Sequence, residues 1–224
     1  PSKPWECTVP EPTDTTSGTN LVDRLRPNRR ITGMSAILLP FTASGEVDWF
    51  GFEGHVERTL AAGLAPAVNM DTGYVQAIDP ATRSAVLQLT GELCGDRRFV
   101  AGAFVADAPG DPFDAAGYRA AATEIVEAGG TPVVFPSWGL HELDERGWVD
   151  VQAALGADIG EFIGFELGLM FVPNGRIASL DGYRELMAVP ECIGAKHSSL
   201  SRRLEWDRLA SRAAERPDFT VLTG

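Results

Sequence analysis

The feature that most constrains this chain is a repeated change of hydrophobic period. From Ile31 onward, short apolar runs of strand length alternate with longer segments of helical period, the sequence form of repeated β-α units. The first run is ITGMSAILLPF (31–41), closed by Pro40. After the turn Ala43-Ser44-Gly45, Asp48 stands as N-cap of a helix that places Phe52, Val56 and Leu60 on one side. The second strand is APAVNM (65–70). Asp79 then caps a helix with Pro80 in its first turn, where a missing N–H costs nothing. RFVAGAFV (98–105) and TPVVFP (131–136) read as the third and fourth strands, separated by an alanine-rich helix from about Phe113 to Ala128 that stops at Gly129-Gly130. Helices over 145–155 and 180–187 precede the strands EFIGFEL (161–167) and ECIGAK (191–196). Arg202 to Glu215 makes a sixth helix, and the chain then enters a seventh run, DFTVLTG (218–224).

Seven strands joined by six helices suit either an open doubly wound sheet or most of a (β/α)₈ TIM barrel. Two features favour the barrel. No Gly-rich phosphate loop follows the first strand, and polar residues gather where strands end: Asn69, Asp71 and Thr72 after strand 2, Ser137 and Trp138 after strand 4, Glu166 in strand 5, and Lys196 at strand 6. In a barrel, those C-terminal ends carry the chemistry. The expectation is therefore an α/β (β/α)₈ barrel over residues 31–224, ending at strand 7, with its C-terminal part missing from the sequence as given, since an unpaired apolar edge strand invites aggregation. Residues 1–30 are dense in Pro, Thr and Ser without either period and read as an extended or irregular N-terminal arm.

Charge removes several classes of partner. With a net charge of −12 and a sequence pI of about 4.7, neither nucleic acid nor an anionic membrane is an expected partner. The one basic run, RLRPNRR (24–30), reads as a solvated approach to the first strand. Cys7, Cys94 and Cys192 show no C-x-x-C spacing, which fits a reducing, cytoplasmic setting, and neither a membrane span nor a signal-type apolar region is present in the sequence.

Lys196 is the most informative residue. It follows the apolar run ECIGA and would end its strand in the barrel mouth, where desolvation lowers a lysine's pKa and makes the amine nucleophilic towards a carbonyl. The alternative is a strand-end lysine that snorkels to solvent or pairs with a carboxylate.

The segment AVPEC-GAKHSS, read as one stretch AVPECIGAKHSS, resembles the strand-6 signature P-x-[IV]-x-G-x-K of the dihydrodipicolinate synthase and N-acetylneuraminate lyase family of class I aldolases. GMSAILLPFTASGEVDWFGFEGHVERTLAAG looks like that family's opening strand, Pro-Phe turn and first helix, and DTGYVQAIDPATRSAV is similar to its T-T-G-E-x-x-x-L-x-x-x-E-R segment. TPVVFPSW resembles the fourth strand ending in P-Y-Y, and TVLTG the entry to its strand-7 G-x-[DN] turn, so the resemblance runs in consistent order over residues 31–224.

What the resemblance implies is a Schiff-base-forming lyase, an aldolase or dehydratase, acting on a 2-oxo acid such as pyruvate through an imine on Lys196, with no organic cofactor and no metal, as a homotetramer or homodimer. Asp71-Thr72 and Gly73 stand where the family has two threonines and a glycine around the substrate carboxylate and proton relay. An aspartate there would repel a carboxylate, so Asp71 turns away, is protonated, or the ligand differs. The family's strand-5 tyrosine is the central proton donor. Counting back its spacing from Lys196 lands on Gly168, and 160–182 contains no tyrosine. Glu166, a lone carboxylate among Phe162, Phe165 and Leu167, becomes the candidate acid/base, or else a buried glutamate paired with Lys196 or Arg176. Arg176 is the candidate anion clamp or a solvent arginine. Ser137 is a candidate substrate hydrogen-bonding residue, and Trp138, in the place of the second aromatic of P-Y-Y, is a substrate-side ring or an apolar plug.

Two further readings stay open: a barrel that binds a small metabolite without turnover, and a metal-dependent enzyme needing Asp71, Glu166 and one of His55, His141 or His197 to converge. No H-x-H, H-E-x-x-H, G-x-S-x-G or phosphate-loop motif occurs.

Overall fold

The computed structural model describes residues 31–223; the expected arm over 1–30, with Cys7 and the basic run, lies outside the described residues. The chain builds seven parallel strands in sequential order: β1 (Met34–Ala36), β2 (Ala65–Val68), β3 (Val100–Ala103), β4 (Thr131–Val134), β5 (Phe162–Leu167), β6 (Cys192–Ser198) and β7 (Thr220–Thr223). Between them run α1 (Trp49–Ala61), α2 (Pro80–Cys94), α3 (Ala115–Glu127), α4 (Trp138–His141), α5 (Glu145–Ile159), α6 (Leu180–Ala188) and α7 (Arg202–Glu215). Each strand pairs in parallel with the next, from β1 on β2 through β6 on β7. This is the curved β-α wall of a TIM barrel, with β1 and β7 at its two edges.

Two helices start at the caps expected from sequence, Asp48 and Asp79, and others start at caps of the same kind. Asp48 accepts from the Gly51 amide, Asp79 from Thr82, Asp114 from Gly117, Asp144 from Gly147 and Ser201 from Leu204, each satisfying an otherwise unpaired first-turn N–H. One element exceeds expectation. The stretch after Ser137, where no helix is expected from sequence, forms the short α4, with Ser137 accepting from Leu140 and the Asp107 carboxylate accepting from the Trp138 and Gly139 amides at 2.8 and 2.7 Å.

The sheet separates two apolar layers. Between strands and helices lie Phe52, Val56, Ile125, Phe162, Leu186 and Phe219, among others, all buried. On the concave side lie Val100, Val133, Phe135, Ile163 and Phe165, packed with Met34, Phe104 and Leu222. Strand alternation assigns each residue to one layer or the other, so register decides which groups reach the barrel interior. Gly102 on β3 shows how tight that interior is: a Cβ there would lie 2.2 Å from the Asn69 carbonyl oxygen and 2.7 Å from the Phe135 ring.

Candidate active site

Lys196 enters the barrel because of the β5–β6 register. Phe165 pairs with Lys196 and Glu166 with His197, so the first pair faces the interior and the second the helices. The ammonium Nζ lies 4.4 Å from the centre of the Phe165 ring and 3.9 Å from Asp71 Oδ1. The ring's negative face and the carboxylate both favour positive charge. Burial works against it and wins: the lysine's pKa is lowered, with Asp71 opposing the shift. With a quarter of its side chain exposed, Lys196 combines access with desolvation.

Asp71 is held by the turn that follows β2. Asp71–Gly73 forms one 3₁₀ turn, in which the amides of Gly73 and Val75 donate to the Met70 carbonyl and that of Tyr74 to Asp71. Tyr74 and Asn69 flank it with φ of 61° and 50°, left-handed conformations uncommon outside glycine. Gly73 is buried, and a Cβ there would sit 3.1 Å from the Ile37 carbonyl oxygen. Thr72 is exposed. The geometry therefore brings Lys196, Asp71 and the Thr72-Gly73 turn to one end of the barrel, and Asp71 turns towards the amine.

The remaining expected site residues are placed elsewhere. Glu166 is fully buried on the helix side, where Oε1 accepts from Arg208 Nη2 and the Ala178 amide at 2.6 and 3.0 Å, and Oε2 from Arg208 Nε and His197 Nδ1 at 2.6 and 2.8 Å. Burial alone would raise its pKa, but these hydrogen bonds and the Arg208 charge hold it below the usual carboxylate range. Glu166 is thus not the acid/base at Lys196, and its cation is Arg208 rather than Lys196 or Arg176. The sequence reading grouped Phe162 with Phe165 and Leu167, but alternation puts Phe165 and Leu167 inside, while Phe162 and Glu166 take the outward, helix-side positions.

Arg176 donates to the carbonyl oxygens of His141, Leu143 and Asp144, so its guanidinium ties two loops together instead of standing free as an anion clamp. Ser137 is buried as the cap of α4, and its hydroxyl accepts from a backbone amide. Trp138 is half-buried, its ring edge-on to His141 at 6.1 Å. Asp71 and Glu166 lie on opposite sides of the sheet, so the convergence that a metal-dependent reading required is not formed by them.

Two residues that sequence reasoning passed over matter here. Phe165, not Gly168, stands beside Lys196, because the chain between β5 and β6 is longer than the family spacing used for the count. Pairing register, not spacing, identifies it. Arg208 lies four residues after Leu204 and three before the buried Ser211 on the inward side of α7, and that helical spacing was its only sequence signal.

No family model matches the chain, and no curated protein does. Solved structures do. A prophage protein of the dihydrodipicolinic acid synthase family from E. coli K12, in complex with pyruvate, matches with a TM-score of 0.72 at 16% identity, covering 86% of this chain and 63% of that one. The fold is that of the dihydrodipicolinate synthase barrels. Dihydrodipicolinate synthase from Bacteroides thetaiotaomicron matches at TM-score 0.72 and 16% identity, over 86% of this chain and 62% of its own. Sialic acid aldolase from Ruminococcus gnavus matches at 0.67 and 16%, over 85% and 60%. The chain thus spans less than two thirds of the length of these neighbours.

Among the described residues no helix is long and apolar enough to cross a membrane. A cleft lined by Arg97, Arg98, Glu161, Asp218 and Thr220, among others, opens at the strands' N-terminal ends, the end that in barrels serves stability.

Proposed function

We propose that this protein is a Schiff-base-forming lyase, an aldolase or dehydratase, in which Lys196 adds to the carbonyl carbon of a small substrate. One observation carries this reading: an amine on the concave wall, desolvated enough to lower its pKa, with an aromatic face and a carboxylate beside it. Such an amine is neutral at lower pH than a solvent lysine, and its iminium product is a cation that Asp71 and Phe165 both stabilise. Nζ bonds to the carbonyl carbon, the carbonyl oxygen leaves as water, and the protonated imine then withdraws electrons from the bond to be made or broken.

Proton transfer falls to Asp71, the carboxylate within 3.9 Å of Nζ, with Thr72 at the same turn. Apo distances of this kind shorten when substrate bridges the groups. The resemblance makes a 2-oxo acid such as pyruvate the first carbonyl to try. Further support comes from two neighbours: one was solved with pyruvate, and the sialic acid aldolase has a catalytic lysine. The same reading takes the protein as a cytoplasmic homotetramer or homodimer without cofactor, for which the buried free thiols Cys94 and Cys192 suit a reducing compartment.

Phe165 favours one alternative, a barrel that binds a carbonyl metabolite without turning it over, since a phenyl ring stands beside Lys196 where the resemblance implies a proton-donating phenol. Cyanoborohydride trapping with a panel of carbonyl compounds, followed by peptide mapping and turnover assay, separates the two. An adduct on Lys196 with product release supports the lyase, and an adduct without turnover supports the binding barrel. Absence of any adduct from folded protein removes the imine reading.

A further inference from the structure

The charge that faces Lys196 has the same sign as a 2-oxo acid. Asp71 Oδ1 faces Nζ at 3.9 Å, and this oxygen is buried without a hydrogen-bond partner among the described residues. A buried acceptor without a donor calls for a ligand that brings an N–H or O–H. A substrate carboxylate brings acceptors alone. Around the amine, the concave wall is built of Phe165, with Phe135 at 5.2 Å between ring centres and Phe104 at 6.5 Å from Phe135, and phenyl rings do not compensate a desolvated anion.

Several groups that could receive an anion are committed to the chain's own carbonyls. In the turn after β2, the amides of Gly73, Tyr74 and Val75 donate back to Met70 and Asp71. Arg83 spends Nη1 on the carbonyls of Val75 and Ile78 and lies against Phe104, while Arg176 serves three loop carbonyls. Each arginine braces a loop at the strands' C-terminal ends.

We propose, resting on the reading that Lys196 forms the imine, that this mouth selects a small neutral carbonyl compound, an aldehyde, a ketone or a 2-oxo amide, over a 2-oxo acid bearing a free carboxylate. A neutral carbonyl becomes a cationic iminium and gains Asp71 as counter-ion, with its N–H or a hydroxyl donated to the orphan Oδ1. An anionic 2-oxo acid brings a second negative charge to the same space, and specificity then follows from repulsion of the wrong ligand.

The test uses pyruvate and pyruvamide, which share the reacting ketone and differ in charge. The full chain is incubated with each under cyanoborohydride at neutral pH, Lys196 adducts are quantified by peptide mass, and each rate is divided by that of free Nα-acetyl-lysine to remove intrinsic reactivity. The expected result is a pyruvamide rate roughly tenfold or more above the pyruvate rate, which follows from like-charge repulsion at a poorly solvated site. Asp71→Thr should bring that ratio to near one or reverse it. Asp71→Asn, almost isosteric, carries the same expectation should the threonine variant fold poorly. A corrected pyruvate rate equal to or above that of pyruvamide overturns the selectivity while leaving the imine reading intact, as does a ratio indifferent to both substitutions. Failure of both probes to modify Lys196 in folded protein overturns the imine reading and the selectivity with it.

Discussion

Two ion pairs sit one residue apart along β5 and β6, on opposite sides of the sheet, and they are built differently. Outside, Glu166 receives four hydrogen bonds, from Arg208, His197 and the Ala178 amide, with carboxylate and guanidinium both out of solvent. Inside, Lys196 and Asp71 stand 3.9 Å apart, each partly exposed, with one carboxylate oxygen unpartnered among the described residues. A buried charge survives in a fold when its geometry is complete, as in the outer cluster. The inner pair lacks that completeness, and the unspent hydrogen-bonding capacity is what a ligand can use.

The largest effect expected from this contrast is on chemistry. Lys196→Ala should abolish imine trapping entirely while leaving the urea midpoint close to that of the unmodified chain, because the residue removed is an under-solvated cation rather than part of a satisfied cluster. Retained trapping would transfer the imine to another lysine and end the comparison. Next comes Glu166→Gln, which leaves Arg208 buried without its counter-charge and should cost about 3–5 kcal/mol in equilibrium unfolding. Loss of less than about 1 kcal/mol there would mean that the outer cluster is no more structural than the inner pair.

Acid should expose the same asymmetry. Glu166 is held below its unfolded pKa, so its contribution to stability is present above the ordinary carboxylate range and disappears as pH falls through the lower, folded value. Urea midpoints measured from pH 7 down to pH 3 should therefore drop more steeply for the unmodified chain than for Glu166→Gln. Inside the barrel, the direction concerns reactivity. Because burial lowers the Lys196 pKa and Asp71 raises it, trapping rate should climb with pH to a plateau with a midpoint below the ordinary lysine value, and Asp71→Asn should move that midpoint lower still. A midpoint that rises in Asp71→Asn would contradict the pairing. The smallest change is Phe165→Tyr, which adds a phenol next to Nζ at a stability change within about 1 kcal/mol. It should speed exchange of substrate α-protons, read by deuterium incorporation, if the proton donor is what this barrel lacks.

Much of the fold was legible in the residues. Change of period marked every strand and the six longer helices, and Asp48 and Asp79 set the starts of two of them, since both are local consequences of side-chain spacing and unpaired N–H groups. Only α4 escaped, because its caps come from Ser137 and from Asp107 in a separate loop. Lys196 was also legible, as a polar end to an apolar strand. Its surroundings were less so. That Asp71 faces the amine, that Phe165 lies beneath it, and that Glu166 belongs to Arg208 depend on the register of β5 against β6 and on a helix some forty residues further along the chain. A one-residue change of register exchanges interior for exterior throughout a strand. Periodicity in the sequence thus determined that each strand has two faces with different residues, and only the assembled sheet decided which face became the barrel interior and which charges met across it.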